Sequence, residues 1–107
     1  MREIQVNLWD DYIQKPQYTY NEPTTIAIES LDKLDKDEIG LLRKEIFNRC
    51  LQWKRNTSEK EVDFIEENEN EILVTELSED KRNNLYEYLC KDSSAFGDVE
   101  IKWVMES

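Results

Sequence analysis

The chain contains no histidine. That removes the commonest general base, the commonest metal ligand and the usual nucleophilic triads. It has two cysteines, Cys50 and Cys90, far apart and each within an apolar helical pattern. They fit reduced, buried thiols better than a disulfide framework, and two separated cysteines do not make a zinc site. The two glycines, Gly40 and Gly97, are isolated, so no glycine-rich loop is present to cradle a phosphate. With only two prolines as well, the composition argues against a linker or a low-complexity region. No apolar run approaches the roughly 18–20 residues of a membrane span. The opening MREIQVNLWDD has no signal-peptide apolar region, so a cytoplasmic location is expected. No catalytic set, metal site or cofactor motif is identified, and the chain reads as a non-enzyme.

Negative charge is what the chain has in excess. Twenty-five Asp and Glu stand against 14 Lys and Arg, a net charge of −11 on 107 residues. That length reads as one domain, 1–107. Such a charge opposes nucleic acid and anionic membranes and favours a basic protein partner, or serves only to keep a solvated face soluble. The excess is concentrated in Glu61–Asp80, EVDFIEENENEILVTELSED, which holds nine carboxylates and no Lys or Arg. The preceding segment, Lys36–Lys60, has seven basic and four acidic residues. The chain is therefore dipolar: a mildly basic segment, then a strongly acidic one. Glu66–Glu71 superficially suggests calcium, but it lacks the D-x-[DN]-x-[DN]-G order and the bidentate Glu of an EF-hand loop.

Apolar periodicity supplies the elements. Arg2–Trp9 alternates, with Ile4, Val6 and Leu8 on one face, as in a half-buried strand. Asp10–Pro23 contains Pro16 and Pro23 and reads as a loop or irregular edge. Thr24–Ser30 is a short strand and Leu31–Lys36 a turn. Asp35 followed by Glu38 resembles a capping box. The helix Asp37–Asn56 carries Ile39, Leu42, Ile46, Cys50 and Trp53 as one stripe, widened by Leu41, Phe47 and Leu51. Glu61–Leu77 is a hairpin turning at Glu67–Asn70, since Asn tolerates φ > 0. A three-residue turn at Asn68–Asn70 puts Val62, Phe64, Ile72 and Val74 on one face and Asp63, Ile65, Leu73 and Thr75 on the other. A two-residue turn would mix carboxylates into both faces. Ser78 caps a second helix, Glu79–Lys91, with Leu85, Tyr88 and Leu89 inward. Asp92–Asp98 is a loop, and Val99–Glu106 is the last strand, alternating Val99, Ile101, Trp103 and Met105.

From Thr24 the order is β-α-β-β-α-β, the ferredoxin-like split βαβ order of an α+β domain with both helices on one sheet face. The N-terminal strand is expected as an addition. That topology hosts many functions and names none.

The leading expectation is a non-enzymatic acidic interaction domain that blocks a basic, nucleic-acid-processing partner. The analogy is with nucleic-acid-mimic inhibitors: anti-restriction, anti-CRISPR and nuclease-toxin immunity proteins. Same-face strand residues repeat at roughly 6.6–6.8 Å, and duplex DNA carries about one charge per 1.7 Å. A carboxylate array can therefore occupy part of a groove built for nucleic acid. The candidate contacts are Asp63, Glu66, Glu67, Glu69, Glu71 and Glu76. The tip carboxylates have no basic neighbour in sequence closer than Lys60 and Lys81. Trp9, Tyr18 and Tyr20 are candidate anchors, since Tyr and Trp are enriched at interface hot spots. The alternative for these aromatics, with Tyr12, is a lid over the sheet face bearing Ile65 and Leu73. Without that cover, the face is a surface for pairing with a second copy. A self-associating assembly module and a small ligand-binding sensor are the competing readings.

Overall fold

Residues 2–10, 22–29, 31–92 and 95–106 are described by a computed structural model. They form β1 (Arg2–Asp10), β2 (Glu22–Ile28), a 3₁₀ turn (Leu31–Lys33), α1 (Lys36–Thr57), β3 (Phe64–Asn68), β4 (Glu71–Leu77), α2 (Glu79–Asp92), β5 (Ala95–Phe96) and β6 (Val99–Glu106). The architecture is α+β: one sheet with two helices packed on it. The sheet order is β3-β4-β2-β1-β6-β5. β1 and β6 run parallel, and the other neighbours are antiparallel.

This order corrects the expected placement of the N-terminal strand. A four-strand ferredoxin-like sheet would set β2 beside β6. Instead β1 stands between them, pairing Val6 with Ile28 on one side and with Trp103 on the other. Alternation along β1 signals one buried face, and Ile4, Val6 and Leu8 are indeed fully buried. It carries no information about which strands flank it. The expected loop Asp92–Asp98 also contains the two-residue β5, which turns through Gly97 at φ 60, a backbone region open to glycine at little cost.

α1 begins where its cap directs. The Glu38 N–H donates to Asp35 Oδ1 at 2.8 Å, and the Asp35 N–H donates to Glu38 Oε1 at 3.1 Å, so two orphan donors are satisfied reciprocally. The helix ends at Ser58, whose left-handed backbone (φ 57) closes the last turn. Its stripe of Ile39, Leu42, Ile46, Cys50 and Trp53 is buried as expected. Leu41 is not part of it: this side chain is 59% exposed on the outer face. Phe47 and Leu51 are half-buried at the stripe's margins.

Trp53 of α1 contacts both β3 and α2. Its ring meets Phe64 of β3 edge-on, with centroids 6.3 Å apart. Its Nε1–H donates to Asn84 Oδ1 of α2 at 2.8 Å. A buried indole N–H needs such a partner, and here it draws α2 against α1. α2 follows Ser78, whose Oγ accepts from the Lys81 N–H. Leu85 and Leu89 complete the core from this side, while Tyr88 is half-buried.

The hairpin keeps the expected faces by an unexpected route. Phe64 pairs with Val74 and Glu66 with Ile72, but Asn68 pairs with Glu71. The turn is thus two residues, Glu69–Asn70, and a bulge at Glu67 absorbs the odd residue. Val62, Phe64, Ile72 and Val74 remain inward and buried. The turn uses no positive φ, contrary to the expected role of its asparagines. Asn68 Oδ1 accepts from the Asn70 N–H at 3.1 Å instead, an Asx turn. Such an unprimed two-residue turn twists the strands poorly, and the bulge supplies the missing right-handed twist. Asn70 then locks the hairpin to the sheet. Its side-chain Nδ2 donates to the Ile28 carbonyl at 3.1 Å, and its own carbonyl accepts from the Ile28 N–H at 2.9 Å.

At the opposite end of the sheet Arg2 joins three elements. Its guanidinium forks onto both Glu38 oxygens, contacts Asp98 and donates to the Lys33 carbonyl. The start of β1, the first turn of α1 and the β5–β6 turn are thereby tied together. The guanidinium, aided by the Asp35 N–H, pushes the Glu38 carboxyl down to about 2. Asp98 is lowered by the same guanidinium.

Candidate functional site

The carboxylates of the hairpin divide into two sets once the chain is folded. Asp63 and Glu66 face cations from α1. Arg43 Nη2 lies 2.6 Å from Glu66 Oε2, and its Nη1 donates to the Asn68 carbonyl. Lys54 Nζ lies 3.4 Å from Asp63 Oδ1. Distance along the sequence therefore understated the local compensation of Asp63 and Glu66. Lys60 and Lys81 are the segment's nearest cations in sequence, but Arg43 and Lys54 are nearest in space. Glu66 also sits opposite Ile72, on the side of the sheet that faces the helices. It is not a purely solvent-facing group.

The second set is the tip. Glu67 at the bulge and Glu69 in the turn are exposed, and neither makes an ion pair or hydrogen bond among the described residues. Glu71 is half-buried and accepts from Asn68 Nδ2. The structure thus brings Asp63, Glu66, Glu67, Glu69 and Glu71 together on β3, the turn and the start of β4. The side chain of Glu76 lies outside what the structure describes, as do Tyr12, Tyr18 and Tyr20. Sequence reasoning took Asn68 and Asn70 only as turn residues and did not identify Arg43 or Lys54 as partners of these carboxylates. The only sequence signal for Arg43 and Lys54 was the net positive charge of their helix.

No family model, curated protein or solved structure matches the chain. Function therefore rests on its surfaces.

Among the described residues β3 is the terminal strand of the sheet on this side. Its first residue, Phe64, is buried and the next four are exposed. Long, flat apolar edges aggregate, and proteins blunt them with charge and bulges. This edge has both, in Glu66 and Glu67 and in the register shift between Glu66 and Asn68.

The sheet face away from the helices has a mixed character. Asn7, Thr25 and Ala27 are buried near its middle, Trp9 and Leu73 are half-buried, and Ile65 is 46% exposed. Gln5 Nε2 donates to Asn7 Oδ1 at 2.8 Å, so part of this face is an internally satisfied polar strip. Trp9, expected as an anchor, lies opposite Thr25 in the β1–β2 ladder.

Among the described residues no group of three or more Cys, Asp or Glu is arranged to hold a metal ion. No helix among them is long and apolar enough to cross a membrane. A shallow groove runs beside the end of α1, lined by Leu51, Lys54, Arg55 and Lys60 among others. It presents three cations together with Ser58 and Glu59. Cys50 is fully buried, and burial pushes its thiol far above the usual range, which keeps it protonated and inert.

Proposed function

We propose that the domain is a non-enzymatic, cytoplasmic interaction module that blocks a basic protein by offering it the acidic β3–β4 hairpin. Its fold is read as a ferredoxin-like order into which β1 has been inserted. The observation that supports the function is the tip: Glu67 and Glu69 are exposed and have no ion-pair partner among the described residues, on a hairpin bonded to the rest of the fold through Asn70 and Arg43. Surface charge of one sign raises the rate of association with an oppositely charged partner, and the effect falls as ionic strength rises. A nucleic-acid-processing enzyme, whose groove is built for phosphates, is the class of partner that fits, in the manner of immunity proteins and anti-restriction or anti-CRISPR inhibitors.

The test starts with capture of the partner from a host lysate and its identification by mass spectrometry. Association rates are then measured for wild type, for Glu67→Gln with Glu69→Gln, and for the quadruple variant that adds Glu66→Gln and Glu71→Gln. Exposed pairs contribute about 0.2–1 kcal/mol each. The double variant should slow association at low salt, and the difference should shrink as the Debye length falls to about 8 Å at physiological ionic strength. Equal rates for all three proteins at low salt would reduce the hairpin to a solvated face.

A second reading is supported by the exposure of Ile65 beside Leu73 on the open sheet face. In that reading the module pairs with a copy of itself. Light scattering decides: a concentration-dependent dimer that Ile65→Glu abolishes favours it, and a monomer at all concentrations excludes it.

A further inference from the structure

The ladder phase of β3 determines what its outer edge offers. The Thr75 N–H donates to the Asp63 carbonyl at 2.9 Å. Asp63 and Thr75 are thus a hydrogen-bonded pair, and Ile65 with Leu73 is the next one in the same register. In an antiparallel ladder hydrogen-bonded and non-bonded pairs alternate. Phe64 and Glu66 therefore turn their N–H and C=O groups away from β4, toward the side where the sheet ends. Asp63 just before the strand, Ile65 within it and Glu67 at the bulge are all exposed, so acid, apolar and acid follow one another along this edge.

From this edge we infer that β3 accepts an extended cationic peptide segment as an added strand, of the form cation–x–apolar–x–cation. This rests on the acidic-surface reading above and names the part of the basic partner that would be held. Main-chain hydrogen bonds to Phe64 and Glu66 supply the attachment, and side-chain pairing across the new strand supplies the selectivity. The two cations stand opposite Asp63 and Glu67, and the apolar residue covers Ile65. The protein's own cations indicate where positive charge is drawn. Lys54 reaches Asp63, and Arg43 reaches Glu66 and the Asn68 carbonyl, so the open stretch is bracketed at both ends. The Lys54–Asp63 pair is long, and the Asp63 side chain is 72% exposed. An incoming lysine displaces such a pair at little cost. Among the described residues Glu67 has no cation to displace.

The probe is a capped peptide, Thr-Lys-Thr-Val-Thr-Lys-Thr, titrated into the full chain by fluorescence anisotropy at low ionic strength. Two backbone-methylated versions carry the same charge. One is N-methylated at the residues whose N–H groups face β3, the other at the residues whose N–H groups face away. Loss of two main-chain hydrogen bonds should weaken the first by about tenfold or more. The second should bind within about twofold of the parent. Amide exchange at Phe64 and Glu66 should slow on binding of the parent. Equal affinity of all three peptides would overturn strand addition while leaving the acidic surface intact as a docking site. Absence of binding by every cationic peptide, even at low salt, would remove both.

Discussion

The bulge at Glu67 makes a prediction that separates two one-residue deletions only two positions apart. Deleting Glu67 makes Glu66 and Asn68 neighbours, and their partners Ile72 and Glu71 are already neighbours. The ladder closes without a slip. Phe64 stays opposite Val74, and no buried side chain changes face. The expected cost is about 1 kcal/mol, the size of one hydrogen bond disturbed at the turn. Deleting Ile65 instead shifts everything before it by one residue. Phe64 and Val62, 9% and 0% exposed, are then turned to the open face. Fully burying a Val or Phe side chain is worth about 1.5–3 kcal/mol, so the loss is about 3–6 kcal/mol. That is comparable to the whole stability of a small domain, about 5–15 kcal/mol. Urea unfolding followed by tryptophan fluorescence reads both variants, because Trp53 stacks edge-on against Phe64. The Glu67 deletion should keep a cooperative transition with a slightly lower midpoint, and the Ile65 deletion should lose most or all of it. Similar loss in both variants would refute the view that the bulge alone reconciles a two-residue turn with the buried face.

Acid should weaken the fold through Glu38. Its folded carboxyl is held at about 2 against an ordinary 4.5, so its stabilisation is complete above about 4.5 and is lost as pH falls toward 2; replacing Arg2 by Gln should flatten the stability-versus-pH slope in that window, measured by urea unfolding at successive pH values. A thiol reagent should leave Cys50 unlabelled in the native protein and reach it only in denaturant, as followed by mass spectrometry, because Cys50 is fully buried and its thiol raised by burial. Trp53→Phe should cost about 0.5–1.5 kcal/mol beyond packing, from loss of the bond to the exposed Asn84, whereas Trp53→Ala should cost about 3–5 kcal/mol in the same unfolding assay.

Local chemistry was legible in the chain, and long-range geometry was not. The α1 stripe and its capping box could be read because both lie within one helix and follow its 3.6-residue period. The inward faces of β3 and β4 could be read because a wrong register would have buried carboxylates. The bulge could not, since a bulge with a two-residue turn and a plain three-residue turn present the same faces. The widened helical stripe failed at Leu41, which the helical period turns to the outer face of α1, away from the sheet. The position of β1 was hidden because one apolar face is compatible with an edge or an interior strand. Charge was read correctly as a total and wrongly as a field. Counting along the chain left the hairpin uncompensated, but folding carries Arg43 and Lys54 across from α1 to two of its carboxylates. At the tip, Glu67 and Glu69 keep no ion-pair partner among the described residues.

The seam between β1 and β6 has a consequence for how the protein is made. It joins Arg2 to Val99 and Trp9 to Glu106, residues separated by nearly the whole length of the chain. Closing so long a loop is entropically costly and places this step late in folding. A ribosome releases β1 first and β6 last. Until β6 emerges, β1 has β2 on one side and an open ladder of N–H and C=O groups on the other. Nascent or truncated chains that stop before Val99 therefore carry an adhesive edge in what will become the interior of the sheet. Protein production should be sensitive to slow or incomplete synthesis of the final strand, and a chaperone that shields β1 would act in that interval.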